Sequence, residues 1–335
     1  MKVTDFDYIL PEDRISERPW EERTGSRLLV LHRDGMVEHR IFSDLPAYLG
    51  QGDMLILNNS KVFPARLKGR KKGGGQIEIL LVKKIRDDVW EVLSRGSYTG
   101  RVTIADDFFS DLYQGRTAHF HFQGDFMENI WKHGLMPLPP YIKRLPDEYD
   151  KGQYQTVYAC EEGSIAAPTA GLHFTDALLR EISLKGVAVK EITLHVGIGT
   201  FKPIRTDILE EHHMDAEHFE IDAGLVQEIG ETKASGKRVV TVGTTSTRAL
   251  EGYLSGKCRI VSRNGKVQGT TDIFIYPGHE FKAIDSLVTN FHLPRSTPLM
   301  LAAAKSGWKN MLNAYKEALA KEYRFLSYGD AMLIL

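Results

Sequence analysis

The sequence predicts an α/β protein whose mixed, largely parallel sheet is interrupted by an inserted small β-barrel. Buried-strand patterns occur near the N-terminus at 27–33 and 53–59. From about residue 61, short alternating runs are separated by glycine-rich or charged turns, which is typical of a small barrel or sandwich. After Tyr154, strand patterns alternate with helix patterns, which is typical of an α/β layer. We therefore assign residues 1–60 and 152–335 to the α/β domain and residues 61–151 to the barrel.

Apolar and alternating runs predict the strands of the first half of the chain. "RLLVLHR" and "DMLILNN" have the length and apolar content of buried strands, and both can join one sheet. The barrel strands are predicted in "GQIEILLVKK", "DVWEVLSRG", "RVTIAD" and "RTAHFHFQG". Three prolines in "GLMPLPPYIKR" (134–144) predict an extended connector that leads out of the barrel.

The second half is read from helix caps and strand runs. Thr175 is expected to cap a helix that ends at Gly186, before the strand "VAVKEITLHV". A helix over "DAGLVQEIGETKASG", the strand 238–243, a helix that opens at "TTSTRALEGYL", and the strands "DIFIY" and "SLVTNF" follow. Ser296 or Thr297 can cap the next helix, because Pro298 suits its first position.

The composition narrows the class of protein. The chain has 335 residues, 42% of them hydrophobic and 26% charged, as in ordinary globular proteins. Its formal net charge of −1 means that any basic surface for a nucleic acid must be local. Cys160 and Cys258 form no C-x-x-C pair, which argues against a disulfide framework or a zinc knuckle. No apolar stretch has the length of a membrane span or a signal peptide, so we expect a cytoplasmic protein without a membrane partner.

The loop "HVGIGT" at 195–200 resembles the start of a dinucleotide-binding loop. The full fingerprint requires a third glycine three residues later and then a helix. Here Gly197 and Gly199 are followed by Thr200, and Pro203 comes shortly after. An oxidoreductase with a nucleotide cofactor is therefore disfavoured.

Residues 61–75, "KVFPARLKGRKKGGG", form a basic window with six basic residues and no acidic one. Such a run can follow the phosphates of a nucleic acid. A solvated loop is an equally good interpretation of the charge run alone. The candidate nucleic-acid contacts are Lys61, Lys68, Arg70, Lys71 and Lys72.

Small and hydroxyl-bearing residues mark two candidate binding loops. "VGTTSTRALE" follows a predicted strand and opens a helix. The free N–H groups at the start of that helix can hold an anion, and Arg248 lies one turn further on. An ordinary capped helix start is the simpler interpretation. "GSIAAPTAGLHFT" ends in His173, just before a helix. His195 lies at the end of a predicted strand. A single histidine is more often structural, but if these strand ends are neighbours, both imidazoles can face one cleft.

Two further polar clusters lie in the second half of the chain. "EEHHMDAEHFE" (210–220) contains three histidines, but its spacing matches no metal-ligand signature, so we predict no metal site there. "TNFHLPRS" (289–296) places Asn290, His292 and Arg295 at another strand end. These side chains can converge on the same cleft.

A set of ordered motifs closely resembles the S-adenosylmethionine:tRNA ribosyltransferase-isomerase family of queuosine biosynthesis. The motifs are "DMLILNNSKVFPARL", "MPLPPYI", "YQTVYA", "GSIAAPTAGLHFT", "ITLHVGIGTFKP", "GTTSTRALE", "DIFIYPGHEFKAID", "TNFHLPRST" and "YRFLSYGDAMLI". The resemblance runs nearly end to end and implies an α/β domain with an inserted barrel. It also implies transfer and isomerisation of the ribosyl moiety of S-adenosylmethionine onto 7-aminomethyl-7-deazaguanine at the tRNA wobble position. Epoxyqueuosine remains in the tRNA, while adenine and methionine leave.

The resemblance implies that S-adenosylmethionine is a co-substrate, that tRNA is the partner, and that no prosthetic group or metal is needed. We expect a monomer. His173 and His195 are the candidate catalytic residues. The candidate substrate-binding residues are Asn58, Asn59, Arg66, Thr169, Gly171, Gly197, Gly199, Thr200, Thr244, Thr245, Arg248, Asn290 and His292.

The chain departs from the family pattern at a few positions outside the loops of His173 and His195. Gln153 stands where the family usually has arginine, "MDAE" replaces an "MHSE"-like segment, and Pro298 replaces a common leucine. Position 61 varies between arginine and lysine in the family. The barrel segment is also short. The alternative function is a non-catalytic RNA-binding α/β protein, which predicts clustered aromatic residues for base stacking rather than polar loops at strand ends.

Overall fold

The computed structural model describes residues 1–197, 199, 203–262 and 265–335. The N-terminal strands are β1 (Arg27–Leu31), β2 (Val37–Ile41), β3 (Met54–Asn58) and β4 (Ser60–Val62). Strand β3 is buried at every position, as its apolar run predicted. It provides the centre around which the main sheet is built.

The chain then forms a closed antiparallel barrel. Its strands are β5 (Arg66–Lys71), β6 (Gln76–Arg86), β7 (Val89–Ser94), β8 (Gly100–Ala105), β9 (Phe108–Tyr113) and β10 (Thr117–His121), in the order β10-β7-β6-β5-β8-β9. Helix α1 (Phe126–His133) packs Phe126 and Ile130 into the barrel core. A short helix, α2 (Glu148–Gln153), lies in the connector back to the α/β domain.

The interpretation of the basic window as a solvated loop is wrong for Arg66–Lys71, which forms strand β5. Leu67 enters the barrel core, while Lys68 is exposed, so the backbone alternates as a strand requires. Gly69 lies against the neighbouring strand, because a Cβ there would be 2.5 Å from Val102 Cγ1. Packing on the inner face therefore determines the structure of this charged segment.

The elements of the second half follow in alternation. They are β11 (Glu161–Ser164), α3 (Asp176–Leu184), β12 (Ala188–Leu194), β13 (Glu217–Asp222), α4 (Ala223–Ala234), β14 (Val239–Val242), α5 (Gly243–Leu254), β15 (Arg259–Ser262), β16 (Lys266–Thr271), β17 (Ser286–Asn290), α6 (Thr297–Ser306), α7 (Trp308–Ala320) and β18 (Ala331–Ile334). The hydroxyl of Thr175 caps α3 as predicted, by accepting a hydrogen bond from the Leu178 N–H. None of the helices within the described ranges is long and apolar enough to cross a membrane.

Among the described residues, ten strands form the main sheet in the order β15-β16-β13-β12-β3-β14-β17-β18-β1-β2. The central strands β12, β3, β14 and β17 are parallel to one another. Antiparallel strands extend the sheet on both sides. The predicted mixed, largely parallel sheet and the inserted barrel are confirmed. The central strands all end at the same edge, which positions the loops that follow them side by side.

Helices cover both faces of this sheet. Ile56 of β3 belongs to a core that includes residues of α4, α5, α6 and α7, whereas the adjacent Leu57 belongs to a core that includes α3. This alternation explains why the run 54–57 is apolar throughout.

Some predicted elements differ from the observed ones. The predicted strand "DIFIY" is wrong: residues 272–276 form no strand, although Ile273 and Ile275 are buried. Strand β13 occupies the end of the histidine-rich segment, where no strand was predicted. Strand β9 of the barrel was not predicted, because the acidic pair Asp106 and Asp107 that precedes "FFSDLY" obscures its alternation.

Candidate active site

A cavity of about 310 Å³ lies beyond the carboxyl ends of the parallel strands. Its walls come from three segments, namely 166–170, the start of α5 at 243–245, and residues 289–296 that end β17 and lead to α6. Val196, just after β12, completes this side of the wall. This is the usual ligand position in an open α/β sheet, and the volume suits a small molecule.

Polar side chains converge in the cavity as the strand-end argument predicts. The Thr169 hydroxyl donates to Asn290 Oδ1 at 3.0 Å. The Thr289 hydroxyl and His292 Nε2 lie 2.8 Å apart. Burial lowers the pKa of His292 to about 3, so this imidazole is neutral at physiological pH. Thr169, Thr244, Thr245, Asn290 and His292 therefore share one cavity.

Tyrosines form a part of the wall that residue types alone did not identify. The Tyr141 hydroxyl lies 2.6 Å from Ser327 Oγ, and burial raises the pKa of Tyr141 to about 12. Tyr154 is fully buried, and its hydroxyl has no hydrogen-bond partner within the described residues. Both tyrosines lie in the resemblance motifs "MPLPPYI" and "YQTVYA", which was the available signal.

The charge in the cavity wall is of one sign. Among the described lining residues, Arg295 is the charged side chain, and there is no aspartate or glutamate. Arg295 is exposed and forms an ion pair with Asp7. The described wall therefore offers hydroxyl, amide and cationic groups to a ligand.

His173 lies beneath the cavity rather than in its wall. Its Nδ1 is 2.8 Å from Ser26 Oγ and its Nε2 is 3.0 Å from Asn290 Nδ2, while its ring stacks on Phe42 at 5.0 Å between ring centroids. Burial, with a smaller contribution from the charges of Arg23 and Arg324, lowers its pKa to about 3. His173 reaches the cavity through Asn290, whose amide it helps to orient.

His195 also lies outside the cavity wall, but next to Val196, which is in it. It is partly buried, and its ring packs on His218 with 5.9 Å between centroids. Its Nδ1 has no hydrogen-bond partner among the described residues. Burial, and secondly the charge of His218, lowers its pKa. Gly163 lies against this ring, because a Cβ there would be 2.6 Å from His195 Nδ1.

Several predicted substrate residues have internal partners. Asn58 is fully buried, and its amide bonds the backbone of Leu194 and Ser60. Asn59 bonds Thr193 and Glu191. Both amides connect β3 to β12 and its end, and neither lines the cavity.

The predicted glycines are located as follows. A Cβ at Gly171 would lie 2.0 Å from the Tyr158 hydroxyl, so close packing requires this glycine. The Gly197 N–H donates to Glu217 Oε1 at 3.1 Å. Gly199 lies near Asp215, because a Cβ there would be 3.0 Å from its carboxylate. Thr200 lies outside the described residues.

A narrow recess of about 10 Å³ adjoins the cavity at the start of α5. Thr244, Thr245 and Pro298 line both the cavity and this recess. Arg248 lines the recess, pairs with the buried Glu217 and donates from Nε to the Ile273 carbonyl at 3.1 Å. The predicted anion-binding loop therefore opens into the cavity.

A separate basic groove of about 860 Å³ lies on the barrel. Arg66, Lys68, Arg70 and Lys71 of β5 line it, together with Arg95, which sequence reasoning did not single out. Arg66 therefore lies in this groove rather than in the cavity, and its guanidinium bonds Glu78 and the Leu138 carbonyl.

The two other basic candidates lie apart from the groove lining. Lys61 pairs with Glu162 at 2.7 Å and lies over the Trp131 ring at 4.9 Å from its centroid. Lys72 is exposed. Over the described ranges, no group of three or more His, Cys, Asp or Glu residues is arranged to hold a metal ion.

The fold and the cavity indicate an α/β protein that binds a small molecule at its strand ends and carries a barrel with a basic groove. The chain matches the family described as "Queuosine biosynthesis protein" over residues 3–334. It is 55% identical to the S-adenosylmethionine:tRNA ribosyltransferase-isomerase of Thermodesulfovibrio yellowstonii and 49% identical to the protein of that name from Halothermothrix orenii, with 100% of each chain covered in both comparisons. The crystal structure of S-adenosylmethionine tRNA ribosyltransferase from Thermotoga maritima is 37% identical, covers 99% of this chain and 100% of its own, and superposes with a TM-score of 0.57. The chain belongs to the queuosine biosynthesis protein family.

Proposed function

We propose that this protein transfers the ribosyl moiety of S-adenosylmethionine to 7-aminomethyl-7-deazaguanine at the tRNA wobble position and isomerises it. Epoxyqueuosine then remains in the tRNA, and adenine and methionine leave. The observation that carries the proposal is the cavity at the strand ends, in a chain that matches enzymes of this name over its full length. S-adenosylmethionine is the co-substrate, and the proposal involves no prosthetic group.

The chemistry requires little activation of the leaving group. The positive sulfur of a sulfonium already makes methionine a neutral leaving group, so the protein must supply a base and donors to adenine and to developing oxyanions. We assign the base to His195. Its lowered pKa keeps the imidazole neutral near pH 7, and its buried Nδ1 has no hydrogen-bond partner among the described residues.

The other predicted residues support binding. Thr169, Asn290 and His292 offer hydrogen bonds inside the cavity. His173 acts as a positioning residue, because it contacts Asn290 and not the cavity. Asn58, Asn59 and Gly171 hold the backbone of the adjacent loops in place.

We propose that the barrel groove contacts the tRNA backbone. Lys68, Arg70 and Lys71 line it, and phosphate contacts dominate the affinity of such complexes. Exposed Lys72 lies beside it and can add to the field. We further propose that residues 61–151 form the barrel domain and that residues 1–60 and 152–335 form the α/β domain. We also propose that the enzyme is a monomer and acts in the cytoplasm, where its tRNA substrate is found.

The test is release of adenine from S-adenosylmethionine by the purified protein. With tRNA that carries 7-aminomethyl-7-deazaguanine we expect adenine in proportion to modified tRNA, measured by chromatography. The same tRNA with guanine at the wobble position is the control and should give none. Binding of tRNA without adenine release would instead favour the non-catalytic RNA-binding alternative.

A further inference from the structure

We propose that the starts of α5 and α6 form the subsite for the carboxylate of the methionyl part of S-adenosylmethionine, with Thr245 and Arg248 as its side-chain donors. The inference rests on the proposed function and specifies how the substrate lies in the cavity.

Two helix N-termini meet at the recess. Thr244 and Thr245 belong to the first turn of α5, and Thr297 and Pro298 to the first turn of α6, and all four line the recess. Neither helix is capped by a side-chain hydrogen bond. The Ser296 hydroxyl, at the N-cap of α6, donates to the Leu293 carbonyl instead. Two uncapped helix starts that face one small space favour an anion there.

Two buried donor atoms at this place have no partner among the residues that the structure describes. Thr245 is 7% exposed and Arg248 is 5% exposed, and neither Thr245 Oγ1 nor Arg248 Nη2 has a hydrogen-bond partner within the described residues. The next hydroxyls of the same helix are engaged, because Ser246 donates to the Val242 carbonyl and Thr247 to the Gly243 carbonyl. Buried donors normally make hydrogen bonds, so a ligand that supplies acceptors here removes the free-energy cost of leaving these donors unsatisfied.

The shape and charge of the site select a carboxylate. The recess holds about 10 Å³, which is roughly the space for one water-sized atom such as a carboxylate oxygen. Neither the cavity wall nor the recess lining has an acidic residue in the described part of the chain, although Arg248 also pairs with the buried Glu217. S-adenosylmethionine has one anionic group at neutral pH, its carboxylate. The rest of the cavity, where Tyr141 and Tyr154 lie, is then left for the adenosyl part.

The experiment compares S-adenosylmethionine with its decarboxylated analogue, S-adenosyl-3-methylthiopropylamine. In the wild-type protein, kcat/KM for adenine release should be lower for the analogue by about 10- to 100-fold, as for a lost hydrogen bond to a charged group. Thr245→Val should lower kcat/KM for S-adenosylmethionine by about 10-fold and leave that for the analogue within about 2-fold. Thr245→Ser should keep most of the rate with S-adenosylmethionine.

Ser246→Ala is the matched control, because it removes a hydroxyl of the same helix that lies outside the cavity lining. Its preference for S-adenosylmethionine over the analogue should equal that of the wild type. Equal use of both substrates by the wild type, or an equal loss on both in Thr245→Val, would overturn the proposal. The proposal would also be overturned if Thr245→Val raised the KM for tRNA and left the KM for S-adenosylmethionine unchanged, because the subsite would then hold a phosphodiester.

Failure of the proposed function is recognised separately. If the wild type releases no adenine, calorimetric binding of S-adenosylmethionine and of the analogue to the wild type still decides on the subsite. Binding that is about 10-fold tighter with the carboxylate supports it, and equal or absent binding of both refutes it.

Discussion

His173 and His195 have different surroundings, and we therefore propose different roles for them. His173 is bonded at both ring nitrogens, to Ser26 and Asn290, and is fully enclosed. Proton transfer by His173 would break contacts that the fold needs. His195 keeps Nδ1 without a partner among the described residues and remains partly exposed. We therefore propose His195, rather than His173, as the residue that exchanges a proton with a ligand.

We predict that His195→Ala lowers kcat by the roughly 10²- to 10⁴-fold typical of a lost general acid or base, while the protein stays folded. His195→Gln is the sharper variant, since glutamine keeps one hydrogen bond but cannot shuttle a proton near pH 7. Both variants should therefore be similarly slow in single-turnover adenine release.

Four outcomes distinguish the roles of His195. Similar rates for the two variants indicate proton transfer, and a fast glutamine variant indicates positioning only. Near wild-type turnover of His195→Ala would end the catalytic assignment. Unfolding of either variant, seen by circular dichroism, would make His195 a structural residue.

His173 leads to a prediction on stability and pH. Its pKa is about 3 in the folded protein and about 6.5 in the unfolded chain, so between these values the unfolded chain binds the extra proton. The stabilisation is fully present above pH 6.5 and is lost as the pH falls towards 3, by up to about 1.4 kcal/mol for each pH unit. We expect His173→Gln to be less stable at pH 7 by about 1–3 kcal/mol and to show a shallower pH dependence.

Urea unfolding at pH 7, 6 and 5 measures this slope for both proteins. His292, whose pKa is also about 3, contributes to both curves and cancels in the comparison. An unchanged slope in His173→Gln would show that His173 is not the linked group.

At the residue scale, the sequence located the polar groups that follow strands. Thr244, Thr245, Asn290 and His292 line one cavity because parallel strands end at the same edge. The sequence could not separate these from Asn58, whose amide bonds the neighbouring backbone inside the fold. Both kinds of residue are polar and follow an apolar run, and only the tertiary partners distinguish them.

At the element scale, the two faces of β5 have different surroundings, and its last residue, Lys71, also reaches the groove. Leu67 and Gly69 serve the packing of the barrel, while Lys68, Arg70 and Lys71 line the basic groove. A strand fixes the spacing of these charges, whereas a solvated loop would not. The groove is therefore a surface of defined shape, and we propose that it contacts a phosphate backbone.

We predict that the triple substitution of Lys68, Arg70 and Lys71 by glutamine weakens tRNA binding and flattens its dependence on salt. Each phosphate contact that is lost lowers the slope of log K against log salt by about 0.7 to 0.9. Affinity for S-adenosylmethionine should stay unchanged, because the cavity is built from other segments. Filter binding over a series of salt concentrations provides the slope.

The matched control replaces Lys83, Lys84 and Arg86 by glutamine. These three exposed residues lie at the C-terminal end of β6, outside the lining of the groove. This control has the same net charge as the first triple variant, but its slope of log K against log salt should equal that of the wild type. An equal effect of the two triple variants would mean that only net charge matters and would remove the groove from the tRNA interface.

Elements with a strong local signal were predicted and the others were not. Helix α3 has a capping threonine and a terminal glycine, and β3 has an unbroken apolar run. The segment 272–276 is equally apolar, but Ile273 offers its carbonyl to Arg248 rather than to a neighbouring strand. Burial alone makes a segment apolar, so the pattern cannot show whether a strand partner exists.

At the scale of the whole molecule, the inserted barrel is attached through a buried junction. Strands β4 and β11 pair in parallel beside it. A core cluster combines side chains from the segments at the barrel's ends with side chains of the α/β layer: Val62, Met136, Leu138, Ile142, Tyr154, Ala167, Leu172 and Tyr328. The buried Asp150 accepts bonds from Arg144 and from the Tyr328 hydroxyl, which joins the connector to the C-terminal segment. The cavity lies against this junction, since Tyr154 and Ala167 line it.

We predict from this junction that the barrel and the main sheet unfold together. Hydrogen exchange in increasing urea, read by mass spectrometry, should give the same opening free energy for peptides of the barrel core and of β3, β14 and β17. Leu138→Ala removes a buried side chain from the junction at a cost of about 2–5 kcal/mol, and barrel peptides should then exchange at a lower free energy than sheet peptides. Leu112→Ala, the same change within the barrel core, is the control. It should lower the opening free energies of barrel peptides and of sheet peptides by the same amount. If barrel and sheet peptides already exchange separately in the wild type, the junction does not couple them, and the cavity would have to be formed by the α/β layer without support from the barrel.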